Sequence, residues 1–185
     1  MNDLPPDAGP VLTGLARASI AKHLQTDHSA VVPRPGWLDD PGAAFVTLTQ
    51  RGQLRGCIGS LVAHRPLHED VAHNAAAAAF SDPRFPPLRA AELALTDIEV
   101  SVLSAPAPMP FTDQADALSQ LRPGVDGVIL TAAGRRATFL PQVWEELPDK
   151  REFIAHLLRK AGLPPTYWGD DVRLSRYTVT AFRED

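Results

Sequence analysis

Arg55-Gly56-Cys57-Ile58-Gly59 sets the only thiol of the chain near a guanidinium, with a glycine before it and another shortly after. The thiolate is the nucleophilic form of cysteine, and a free pKa of about 8.5 falls beside a cation. Two glycines so close together weaken a strand and mark a bulge or a close approach of backbone. Strand alternation puts Arg55, Cys57 and Gly59 on one face and Leu54, Gly56 and Ile58 on the other. On this reading Cys57 is a candidate catalytic nucleophile and Arg55 its electrostatic partner. A base such as His64 or Glu99 would have to lie within hydrogen-bond reach. The competing reading is a tight core hairpin, because free cysteine is among the most buried residue types and acts as a small hydrophobe.

Other residues could complete a binding surface around this stretch. Ser81-Asp82-Pro83-Arg84-Phe85 is a proline-stiffened loop, and rigid loops on scaffolds often carry functional groups. Asp82 and Arg84 could bind each other, cap a helix end, or face a pocket. Glu99 and Ser101 lie on the polar side of an otherwise apolar strand. Convergence with Arg55 and Cys57 and plain solvent exposure explain them equally well. The candidate ligand-binding set is therefore Gly56, Gly59, Asp82, Arg84, Glu99 and Ser101.

The histidines argue against a metal. His68 and His73 are five residues apart, which separates their rings by roughly 140° around a helix, against about 40° for a four-residue spacing. His64 has the four-residue spacing to His68, but Pro66 starts a helix between them. There is no second cysteine for a thiolate set. Neither a P-loop, a dinucleotide glycine pattern nor a G-x-S-x-G elbow is present, so no metal and no cofactor are expected.

These residues need elements to hold them. Leu12, Leu15, Ala16, Ser19, Ile20 and His23 form one stripe, predicting a helix over 11–25. Ala44 to Gln50 and Leu54 to Leu61 predict a hairpin turned at Arg51-Gly52-Gln53. A helix is expected from Pro66 to Phe80, stopped by the following prolines. Leu95 to Ser104 alternates as a strand, and Pro106, Pro108 and Pro110 suggest a stiff extended link. A helix over 113–121 and a hairpin over 127–140 follow, then helices over 142–147 and 150–161 and a last strand over 172–182. Hairpins require antiparallel pairing, so the fold class is α+β, a mainly antiparallel sheet flanked by helices.

Composition bounds the rest. The chain has 185 residues, 44% of them hydrophobic, with 18 Lys+Arg against 22 Asp+Glu, which gives one good core, or a core with a smaller subdomain, and excludes global disorder. The formal charge of −4 argues against nucleic acid as a partner. Residues 1–10 carry no apolar run and read as a flexible tail rather than a secretory signal. Without a stretch long enough to span a bilayer, no membrane is expected and a cytoplasmic location follows as the default.

Five blocks in order carry a family resemblance: Phe45-Val46-Thr47-Leu48, Leu54-Arg55-Gly56-Cys57-Ile58-Gly59, Ala78 to Leu88, Ile98 to Ser104, and Phe139-Leu140-Pro141-Gln142-Val143. Together they resemble the AMMECR-domain family, whose prokaryotic members include proteins of the AmmeMemoRadiSam system. L-R-G-C-I-G is that family's signature hexapeptide. The resemblance implies one AMMECR-like domain over 11–183, with a larger α+β part built from both chain ends and a smaller subdomain. It further implies Memo-like and radical-SAM proteins as partners. It supplies no reaction, since the family's activity is unsettled. The expected function is an accessory module binding an unidentified small molecule or a partner, with a thiol-dependent enzyme or carrier using Cys57 as the alternative.

Overall fold

Alternation along the strands explains how the first half of the chain builds a core. The structure, a computed structural model, describes residues 4–26 and 33–184. In β1 (Pro41–Gln50), Ala44, Val46 and Leu48 are fully buried, while Phe45, Thr47 and Thr49 on the opposite face are half-buried. In β4 (Asp97–Leu103), Ile98, Val100 and Val102 share the buried face. Burying a side chain of this kind contributes about 1.5–3 kcal/mol, so the register of these strands is strongly specified. Helices α1 (Ala8–His23) and α2 (Leu67–Phe80) pack on that face and on each other. Leu12, Ile20, Leu67 and Val71 join the strand residues in one cluster.

The sheet has the order β2-β1-β4-β9, with β2 spanning Gln53–Gly59 and β9 spanning Val179–Arg183. The short β3 (Arg65–Pro66) pairs with the start of β1. The β1–β2 and β1–β4 pairings are antiparallel. A second sheet has the order β5-β8-β6-β7, made of Ala107–Met109, Arg173–Tyr177, Gly127–Ala132 and Arg135–Phe139. It packs with α4 (Gln114–Gln120), α5 (Val143–Glu146) and α6 (Lys150–Lys160) around Leu130, Trp144, Phe153 and Leu157. The chain divides into two compact units, one running to Leu103 and resuming at Thr180, the other Ser104–Val179. The architecture is α+β with antiparallel sheets flanked by helices.

Three expectations are corrected. Residues 1–10 are not wholly a flexible tail: α1 starts at Ala8, with Ala8 and Gly9 buried, because Pro10 lies in the first turn, where its missing N–H costs nothing. Met1–Asp3 lie outside the described residues. The proline link is in part an edge strand, β5, an allowed place for Pro108 in a sheet. The last strand is two strands in different sheets. It breaks at Thr178, whose N–H donates to Ser104 Oγ (3.0 Å) and whose carbonyl accepts from Ser104 N–H (2.9 Å). A short helix, α3 (Ala90–Leu93), was not expected. It begins with Arg89 N–H donating to the Glu92 carboxylate, 2.9 Å away.

Candidate functional site

The hexapeptide lies flat against α2 because it carries glycine there. A Cβ on Gly56 would run into the backbone carbonyl oxygen of Ala78, so no other residue lets β2 approach the alanine helix this closely. Gly59 leaves room for the Phe45 ring, its neighbour across the β1–β2 pair. The close approach at Gly56 thus brings Cys57 towards the loop that follows α2.

That loop grips the Cys57 peptide from both sides. Asp82 Oδ2 accepts from Cys57 N–H at 2.9 Å, and Arg84 Nη2 donates to the Cys57 carbonyl at 3.1 Å. The two loop residues also bind each other. Arg84 Nε donates to Oδ1 (3.0 Å), Nη2 to Oδ2 (2.7 Å), and the Arg84 backbone N–H to Oδ1 (3.1 Å). Asp82 is buried, while the Arg84 side chain is half-exposed, with its guanidinium carbon 5.5 Å from the Phe85 ring centroid. The Arg84 guanidinium holds the Asp82 carboxyl far below the usual carboxylate range, against the opposing effect of burial and with help from two backbone N–H groups. Arg84 is raised in turn, chiefly by Asp82 and in smaller part by the Cys57 side chain.

On the sheet face away from the helices, Cys57 pairs with Thr47, and Thr47 pairs with Glu99. Thr47 Oγ1 donates to the half-buried sulfur at 3.4 Å. Glu99 accepts from Ser101 Oγ (3.3 Å) and from Arg183 Nε (2.5 Å), and this contact raises Arg183. Glu99 and Ser101 therefore share a face with Cys57, one strand removed, and no hydrogen bond joins either to the thiol among the described residues.

Arg55 departs from simple alternation. Leu48 pairs with Gly56 and Thr49 with Leu54, so Arg55 is the extra residue of a β-bulge. Its Nε and Nη2 both donate to Glu92 Oε1 of α3, at 3.3 Å each. The expected pairing of Arg55 with Cys57 is not made. The guanidinium set against the Cys57 peptide belongs to Arg84, which no strand-face argument could supply. His64 is likewise occupied elsewhere, its Nδ1 with Val62 O (2.8 Å) and its Nε2 with Arg65. Among the described residues, no group of three His, Cys, Asp or Glu is placed to hold a metal.

The sequence reading missed a buried polar cluster beside the hexapeptide. Asp70 accepts from Ala44 N–H (2.9 Å), Ser60 Oγ (2.7 Å) and Asn74 Nδ2 (3.0 Å), and Asn74 also donates to Ala44 O. The signal was available in α2: residues 67, 70, 71, 74, 75 and 78 form one helical stripe, and two of them are polar. Asp70 and Asn74 tie α2 to β1 and to the residue after β2, which steadies the strand that carries Cys57.

An antiparallel sheet under two helices, with the hexapeptide fastened to the loop after the second, defines the class, and the chain belongs to the AMMECR1 family, which it matches over residues 13–182. A protein from Methanothermobacter thermautotrophicus is 39% identical over 183 residues, covering 97% of this chain and 95% of its own. One from Saccharolobus solfataricus is 38% identical over 192 residues, covering 100% and 85%. The crystal structure of an uncharacterized protein from Pyrococcus horikoshii is similar with a TM-score of 0.78 at 33% identity, covering 98% of this chain and 94% of that one.

Proposed function

We propose that the chain is an accessory module of the cytoplasm, a single domain over 11–183, that binds a small molecule or partner protein at the Cys57–Asp82–Arg84 face. Memo-like and radical-SAM proteins are the partner classes that the AmmeMemoRadiSam resemblance brings in. The observation that carries this reading is the imbalance at Cys57. Its peptide N–H and carbonyl are both held by side chains of the Asp82–Arg84 loop, whereas among the described residues its thiol has only a weak bond from Thr47. Nucleophilic catalysis needs a base in hydrogen-bond reach of the thiol, and neither His64 nor Glu99 takes that place. A held backbone, a half-exposed sulfur and a half-exposed guanidinium instead make a shaped polar contact surface.

One observation favours the alternative, Cys57 as nucleophile: Arg84 Nη2 lies 3.1 Å from the Cys57 carbonyl, which brings a guanidinium to the residue that carries the thiol. Two measurements separate the readings. Co-purification with a Memo-like and a radical-SAM protein should retain at least one of them, and Arg84→Glu should abolish it. Cys57 alkylation by iodoacetamide at neutral pH should run no faster than that of a free cysteine in a short peptide. Loss of both co-purifications, with alkylation much faster than that of the peptide thiol, overturns the module in favour of the thiol enzyme.

A further inference from the structure

Among the described residues β2 ends its sheet, with β1 on one side and no strand on the other. The direction of its peptide groups follows from its register. Ser60 N–H donates to Ala44 O at 3.1 Å, so Ala44 and Ser60 form a hydrogen-bonded pair. Such pairs alternate along an antiparallel ladder. Val46–Ile58 is therefore bonded, whereas Thr47–Cys57 and Phe45–Gly59 are not, and Cys57 and Gly59 aim their N–H and C=O groups away from β1. That side is the edge, where a further strand would pair. Asp82 and Arg84 occupy it at Cys57: a carboxylate oxygen takes the N–H and a guanidinium takes the carbonyl. One residue of an antiparallel neighbour would make the same two bonds.

The edge is also complementary to itself. Four of the five large hydrophobic side chains exposed among the described residues flank it, Leu54 (44%) and Leu95 (65%) at one end, Leu61 (39%) and Val62 (48%) at the other. Leu54 and Leu95 line one cavity and so lie together. A two-fold axis near Ile58 would set Cys57 of one copy against Gly59 of the other, both with outward peptide groups. It would also bring the Leu54–Leu95 end of each copy to the Leu61–Val62 end of the other, apolar surface against apolar surface. Three features oppose this pairing. The loop fills the hydrogen-bonding positions of Cys57, the bulge at Arg55 interrupts the straight edge, and the half-exposed Arg84 guanidiniums of two copies would meet close to the axis. We propose that the β2 edge is a strand-pairing surface for a second copy of this chain, held shut by Asp82 and Arg84. The pairing uses the edge of the strand, so it stands whether or not the Cys57 face binds another protein.

The test is sedimentation equilibrium of the full-length chain across a concentration series. Arg84→Ser removes the charge and the donor to the Cys57 carbonyl at a half-exposed position, and should strengthen self-association over wild type roughly tenfold or more. Asp82→Ala/Arg84→Ser frees the Cys57 N–H as well and should associate more tightly still. In ¹H–¹⁵N spectra of Arg84→Ser, the Cys57 and Gly59 amides should shift with protein concentration. Adding Leu54→Ser, at an exposed position, should return association to the wild-type level. Arg84→Ser that associates no more strongly than wild type overturns the proposal. So does association that leaves those two amides unmoved or survives Leu54→Ser. Co-purification of the wild type with another protein bears on none of these outcomes, so the two readings fail separately.

Discussion

The pairs Asp82–Arg84 and Arg122–Asp126 are built alike and do different things. In each, the aspartate side chain is buried, at 2% and 0% exposure, under an arginine that is 53% exposed, with Nη2–oxygen distances of 2.7 and 2.6 Å. Arg122 gives its backbone N–H, Nε and Nη2 all to Asp126, four residues on. That carboxylate closes one turn, and the Asp126 carbonyl anchors Trp144 Nε1 in the second core. Asp82 and Arg84 spend the same groups on each other but also reach Cys57, 25 and 27 residues away. A local lock stabilises its own turn. A lock that reaches across to another element fixes the position of the residue it grips as well.

The largest expected effect tests what lets the second kind of lock form. Gly56→Ala pushes β2 off the Ala78 carbonyl, and this backbone clash should cost about 3 kcal/mol. It should also speed alkylation of Cys57 in the folded protein, since the peptide can no longer reach Asp82. In the other unit, Gly134 has φ +69 in the β6–β7 turn, and Gly134→Ala should cost only about 1 kcal/mol. Urea unfolding and iodoacetamide rates measure both. An unchanged thiol rate in Gly56→Ala would mean that the grip on Cys57 does not depend on the close approach.

Removing each carboxylate compares the locks directly. Asp82→Ala and Asp126→Ala should each cost about 2–3 kcal/mol by stranding donors to a buried carboxylate. Only Asp82→Ala should alter Cys57 alkylation. Equal thiol rates in the two variants would reduce both pairs to turn locks.

Acid separates the ionic part of the Asp82 lock from its packing. Arg84 chiefly, with the Cys57 and Arg84 backbone N–H groups, lowers the folded-state pKa of Asp82 below its unfolded value of about 3.9. Its stabilisation is therefore complete above that pH and is lost as the pH falls through the lowered folded value. In Asp82→Asn this part of the acid limb should be missing, so the stability gap between wild type and variant should narrow as pH drops below about 4. Urea midpoints across that range check the sign, and a gap that widens would contradict it.

Much of this geometry was legible because it is local or periodic. The alternation of Ile98, Val100 and Val102 and the turn at Arg51-Gly52 set β4 and the first hairpin in their observed sheet. Asp82-Pro83-Arg84 was legible as a rigid loop, with mutual binding of Asp82 and Arg84 one of three roles left open. Arg55 was not, because one extra residue in a strand changes where its side chain goes, and nothing in the residue types announces the slip between Leu48 and Thr49. Thr178 hid the break between β8 and β9 for a similar reason: threonine favours strands, and the interruption comes from Ser104, distant in sequence. The grip of Asp82 on Cys57 N–H is also a long-range contact, set by two elements meeting.

The smallest expected effect isolates the sulfur from the backbone that carries it. Among the described residues Thr47 Oγ1 is the one side-chain hydroxyl donating to Sγ, and a 3.4 Å bond to sulfur is weak, so Thr47→Val should change stability by less than about 1 kcal/mol. Its loss should change the alkylation rate at neutral pH by only a small factor, against the larger change expected for Asp82→Ala, although both residues touch Cys57. In the double variant the two effects should add on a logarithmic scale if the loop acts only through the backbone and Thr47 only through the thiol. A strong departure from additivity would show that the Asp82–Arg84 loop acts on the thiol itself, through the Arg84 guanidinium, and would move the Cys57 face from a held surface towards a tuned nucleophile.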